Sequence, residues 1–116
     1  MGIKSSLSKP LAKYIAAKTY RHHQQGIQLQ KKMLLSFLKT AANTAFGKDH
    51  HFGEINSYQS FVDHIPVRDY ENFSNYISSI KEGEPDILWP GKPIYLSKTS
   101  GTTSGVKYIP ITKASI

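Results

Sequence analysis

Ile27, Gln30, Leu34, Phe37 or Leu38, Ala41 and Ala45 recur at the spacing of one face of an α-helix, and the stripe stops at Gly47. It commits the middle of the chain to helix, and the flanking segments must connect to it. Upstream, Ser8 is placed to cap a helix with Pro10 in its first turn, where a missing N–H costs nothing. Leu11, Tyr14, Ile15 and Lys18 follow along a narrow face until Gly26 interrupts. Downstream, Ser57 begins a shorter helix with Tyr58, Phe61 and Val62 inward, ended by Pro66. Asp69 precedes another with Tyr70, Phe73, Ile77 and Ile80 on one face, and Gly83 is placed to end it. Pro85 forbids further helix, and "ILWPGKP" reads as a turn around Pro90 and Gly91. "IYLSK" and "KYIPI" then read as two strands. The pattern predicts an α+β fold, with helices from about Pro10 to Ala45, at 58–64 and at 70–82, and two strands flanking a loop at 99–106. There is no internal repeat and no low-complexity segment.

A chain of 116 residues has room for one core, burying roughly two thirds of its unfolded surface. Its apolar runs fall far short of the roughly 20 residues that cross a bilayer, and no signal peptide opens it, so a soluble, cytoplasmic protein is expected. The absence of cysteine excludes disulfides, thiolate chemistry and thiolate zinc sites. His22–His23 and His50–His51 are adjacent pairs whose side chains diverge, and no carboxylate is spaced to join them or His64. Surface or capping roles are expected for them, with no metal site. Trp89 with Tyr95 reads as core rather than a platform for stacking bases.

Charge is uneven. Residues 1–48 hold nine Lys or Arg and no acid, whereas the rest holds six bases against eight acids, which gives the net +7. A basic amino-terminal half suits a solvated helix face or, as an alternative function, a helical binding module for nucleic acid or an anionic surface. No single-strand platform or zinc-finger spacing accompanies the bases.

The densest chemistry lies between the two expected strands, in "LSKTSGTTSGVKYIPIT". Thr99, Ser100, Thr102, Thr103 and Ser104 offer hydroxyl donors, Gly101 and Gly105 allow backbone N–H groups to approach a ligand, and Lys107 adds a cation. Such a set suits phosphate oxygens, although Ser/Thr/Gly loops also serve as plain turns. Hydrogen bonds to a charged group contribute roughly 1.5–3 kcal/mol each. A few outweigh the ordering of a loop at about 1–2 kcal/mol per residue. The spacing fits neither G-x-x-x-x-G-K-[ST] nor G-x-G-x-x-G.

"TSGTTSGVK" resembles the phosphate-binding signature T-S-G-T-T-G-x-P-K of the acyl-adenylate-forming ligases, in register at Thr99, Ser100, Gly101, Thr102, Thr103 and Lys107. It departs at Ser104 and Val106, where that signature has glycine and proline. "KYIP" after the loop, together with "TAFGKDHHF", "IPVRDYENFSNYI" and "ILWPGKPIYLSKTSGTTSG", is similar to the bacterial branch of the auxin-responsive Gretchen Hagen family of acyl-acid amido synthetases. The resemblance covers about Gln25 to Thr112. It implies a fragment of the large amino-terminal domain of an adenylate-forming enzyme, mainly helical over 1–84, with a strand-loop-strand phosphate-binding region at 94–112. Family members are several times longer, so the resemblance implies an amino-terminal piece that is inactive alone, with Thr112 capping a helix that continues beyond it. It also implies ATP and magnesium as cofactors, and a small carboxylic acid and an amine or amino acid as partners, with no nucleic acid or membrane partner. Thr99, Ser100, Gly101, Thr102, Thr103, Ser104, Gly105 and Lys107 would bind the β and γ phosphates, and no catalytic residue or metal ligand is implied within the chain. "MGIKSS" formally fits a myristoylation pattern at Gly2 and Ser6, a reading that a bacterial source removes.

Overall fold

The computed structural model describes residues 3–101 and 105–116, in two compact units that divide after Leu34. In the first unit, α1 (Ile3–Gln24) begins five residues before Ser8, so Ser8 lies inside the helix and is not its cap. Pro10 is likewise interior, and its missing N–H leaves the i−4 carbonyl without its helical partner. Leu11, Tyr14 and Ile15 stay exposed, as the narrowness of their face foreshadows. The interruption at Gly26 is a single residue: Gln25 N–H donates to the carbonyls of Arg21 and His22, both at 3.2 Å, and α2 (Gly26–Ala41) starts at once.

In the second unit, Leu38 and Ala41 end α2 buried. The helix does not run on to Ala45. Thr44 turns out of it with φ −72° and ψ 162°, and its hydroxyl, 1% exposed with the rest of the residue, donates to Ala41 O at 2.7 Å and accepts from Gly47 N at 3.0 Å. Such side-chain bonds compete with helix continuation and favour a new cap. α3 (Ala45–Asp49) follows, and its first two N–H groups donate to Asp86 O and Ile87 O at 2.8 and 3.0 Å. Every orphan donor of its first turn is thereby paired. Gly47 lies within α3 rather than ending a helix, and it is glycine there because a Cβ would overlap the carbonyl oxygen of Ala41.

Ser57 caps α4 (Tyr58–His64) by accepting from Ser60 N at 3.1 Å, and Ile65, the residue before Pro66, leaves the helix. Its inward face is rotated from the one expected. Ser60, Phe61 and His64 are half-buried, whereas Tyr58 and Val62, one turn apart, are exposed. Asp69 accepts from Asn72 N at 3.2 Å but opens a 3-10 turn, Glu71–Phe73, so α5 (Ser74–Lys81) starts four residues later than expected. Gly83, with φ +91°, closes α5 in a Schellman motif: its N–H donates to Ile80 O and that of Glu84 to Ser79 O, both at 3.0 Å. The "ILWPGKP" turn is tied by Asp86, which donates from its N–H to Gly91 O at 3.0 Å and accepts Gly91 N–H on its carboxylate at 2.6 Å. Half-buried Trp89 meets Phe37 edge-on at 6.1 Å, while Tyr95 is exposed.

β1 (Tyr95–Lys98) and β2 (Tyr108–Ile111) pair antiparallel with Tyr95 opposite Ile111 and Lys98 opposite Tyr108. Leu96 and Tyr108 pack with Ala45, Phe73 and Tyr76 on the core of Ile77, Ile80 and Ile87, so the hairpin is seated on α5. After β2, Ser115 Oγ accepts from Thr112 N at 3.1 Å and donates to Thr112 O at 2.7 Å, starting a short 3-10 turn. The fold is α+β, helices first and strands last. No helix among the described residues is long and apolar enough to cross a membrane.

Candidate phosphate site on the hairpin loop

Beyond the last rung of the hairpin, Thr99 N–H donates to Lys107 O at 2.9 Å, and Thr99 Oγ1 reaches the same oxygen at 3.4 Å. The Thr99 hydroxyl therefore closes the root of the loop rather than pointing a donor out of it. Past this root the two limbs touch. A Cβ on Gly101 would overlap the Gly105 carbonyl, so alanine at 101 would force the backbone to move. Gly105 has φ +81°, a region that costs a side-chain-bearing residue about 1 kcal/mol or more. Each glycine thus has its own reason: space at 101 and torsion at 105. Ser100, Gly101 and Gly105 are exposed and available to a ligand, while Thr102, Thr103 and Ser104 lie outside the described residues.

Lys107, half-buried at the end of the loop, holds its Nζ 5.6 Å from the centre of the Tyr70 ring, within cation–π range. The Tyr70 hydroxyl accepts from Tyr108 N at 2.8 Å and donates to Tyr108 O at 3.3 Å. Lys81 Nζ lies 4.5 Å over the Tyr108 ring. Loop root, two tyrosines and two lysines form one cluster. Sequence reasoning placed Tyr70 in a helix face and missed this role, and its 38-residue separation from Tyr108 leaves no local signal.

A second cluster centres on Phe46. Its ring stacks on His50 and Phe73 with centroids at 4.0 and 5.6 Å and meets Tyr76 edge-on at 5.2 Å. Arg68 lies over Phe46 and Phe73 at 5.5 and 5.6 Å and donates to His50 Nε2 at 2.8 Å. That bond fixes the tautomer, since His50 Nδ1 must then carry the proton it donates to Phe46 O at 2.8 Å. His64 donates back to Ser60 O in the same way at 2.8 Å, so both histidines act as local caps. No group of three potential metal ligands occurs among the described residues.

Tyr76 donates to Asp49 Oδ2 at 2.6 Å, and burial, reinforced by the bond to Asp49 and its charge, pushes the phenol up to about 12. A raised pKa means that the neutral phenol stabilises the fold. The contribution is complete below pH 10 and is lost as pH rises from 10 to about 12. Wild type should therefore melt above Tyr76→Phe at pH 8, with the gap narrowing across that window; a constant gap in melting temperature would count against the raised phenol.

Residues 16–116 match the GH3 family N-terminal domain. The chain belongs to the GH3 family. It is 37% identical over 87 residues to the indole-3-acetic acid-amido synthetase GH3.15 of Arabidopsis thaliana, an alignment covering 73% of this chain and 14% of that relative. No solved structure matches. The GH3 match takes in the hairpin loop, the Tyr70 cluster and the Phe46 cluster, and it leaves out Lys4, Lys9 and Lys13 of the basic amino-terminal half.

Proposed function

We propose that this GH3 chain forms the phosphate-gripping wall of an ATP-dependent acyl-acid amido synthetase, which adenylates a carboxylic acid and passes the acyl group to an amine such as an amino acid. The observation that carries the reading is the pinch of Gly101 against Gly105, which exposes loop backbone beside the cation Lys107. That donor set fits the polyphosphate end of ATP, which when bound supplies the adenylyl group and the pyrophosphate leaving group. Ser100 offers its hydroxyl, Gly101 and Gly105 permit close backbone approach, and Thr99 and Tyr70 hold the root. In the proposal Thr102, Thr103 and Ser104 add donors, and Lys107 offsets charge on the departing phosphates. Magnesium would be held with the substrate phosphates by groups from distant parts of the enzyme.

The test is exchange of labelled pyrophosphate into ATP, dependent on an added carboxylic acid, in a full-length enzyme carrying this segment. Exchange is expected there and not with the 116 residues alone, because stabilising the transition state draws on groups from distant parts of a site. Absence of exchange with any acid, accompanied by salt-steep binding to nucleic acid, would replace this reading with the basic-module one.

A further inference from the structure

We infer that Tyr70 is a positioning residue that acts on bound phosphate through Lys107, an inference that rests on the phosphate reading of the loop. One hydroxyl takes both main-chain hydrogen-bonding groups of Tyr108, the residue next to Lys107. The ring attached to that hydroxyl lies under the Lys107 ammonium. The Lys107 carbonyl is meanwhile occupied by Thr99. The backbone next to Lys107 and the Lys107 side chain are thus both held by a single side chain from the turn before α5. Lys81 lies over the ring of Tyr108, the residue that Tyr70 holds. An untethered Lys107 would sample more directions, and apparent affinity falls in proportion to the fraction of chains in the competent arrangement. The same clamp holds Tyr108, the first residue of β2, next to the root that Thr99 closes. Tyr70 therefore prepares the cation before the ligand arrives.

The probe is inorganic pyrophosphate, titrated into a full-length enzyme carrying this segment and followed by NMR of selectively labelled loop amides and lysine side chains. In wild type, the shifts of Ser100, Gly101 and Gly105 amides should saturate together. The Lys107 ε-methylene protons should start upfield under the Tyr70 ring and remain upfield as the probe binds. Tyr70→Phe keeps the ring and removes the two backbone bonds. Pyrophosphate binding should weaken about threefold to tenfold, the equivalent of one ordinary hydrogen bond. Lys107→Met should weaken it by itself, and adding Tyr70→Phe to Lys107→Met should change nothing further, because the two act as one unit. A merely structural tyrosine would instead weaken binding by the same factor in both backgrounds. That result, or ordinary Lys107 ε-methylene shifts in the wild-type chain, overturns the positioning role and leaves the loop reading standing. If pyrophosphate moves no loop amide in wild type, the loop reading falls and the inference with it. The methylene reading requires no variant, so a Tyr70→Phe chain that fails to fold still leaves a decisive result.

Discussion

In a full-length amido synthetase carrying this segment, Lys107→Ala, Thr102→Ala and Thr103→Ala should each slow acid adenylation about tenfold to a hundredfold. Removing one partner of a charged group costs roughly 1.5–3 kcal/mol, and each 1.36 kcal/mol of barrier is about tenfold in rate. For Lys107 the ring contact allows the same outcome. The cation–π contact with Tyr70 uses none of the three ammonium N–H donors outright, so the ammonium seated on the ring can still bond a phosphate oxygen. Amine transfer started from preformed acyl-adenylate should change little, because no phosphate chain is then bound. A loop with only a turn-forming role would slow both half-reactions together and lower the melting temperature. Equal losses in the two steps would therefore remove phosphate contact as the explanation.

Features set by neighbouring residues were legible in the sequence. Ser57 as a cap and Gly83 as a stop depend on bonds that close within a few residues, and the strand-loop-strand order on a hairpin contained in one short stretch. The legible part of the candidate site was the loop itself, because hydroxyls and glycines crowd into one stretch. What escaped depended on distant backbone. The hydrophobic stripe ran through Ala45 because periodicity ignores the buried Thr44 hydroxyl that starts a new helix against residues 86 and 87. Tyr70 read as one more apolar position because its polar end matters only once β2 lies beside it. Tyr58 and Val62 kept helical spacing on an exposed face, since period fixes which residues share a face and not which face turns inward.

Gly47 gives the sharpest stability test, since its neighbour Phe46 anchors an aromatic cluster and its own N–H is held by Thr44. A methyl group at 47 would collide with the Ala41 carbonyl oxygen and also press on the Ala42 carbonyl oxygen at 3.0 Å. Neither is the end of a flexible side chain, so relief requires α2 and α3 to separate. That movement would stretch the Thr44 bonds to Ala41 and Gly47 and draw the α3 amides away from residues 86 and 87. Overpacking typically costs about 1–3 kcal/mol, and a backbone obstacle puts this case at the upper end. About 3 kcal/mol in a unit of this size lowers the melting temperature by roughly 12–24 °C. Gly53→Ala is the matched control: a Cβ there meets nothing within 4 Å and the residue has no positive φ. It should leave the melting temperature unchanged or raise it slightly, because alanine reduces the freedom of the unfolded chain. A Gly47→Ala chain that melts with Gly53→Ala would show that Ala41 and Gly47 do not approach as closely as the structure has them. A large loss confined to Gly47 would establish that this glycine, which the sequence offers as a helix stop, is required for the contact between two helices.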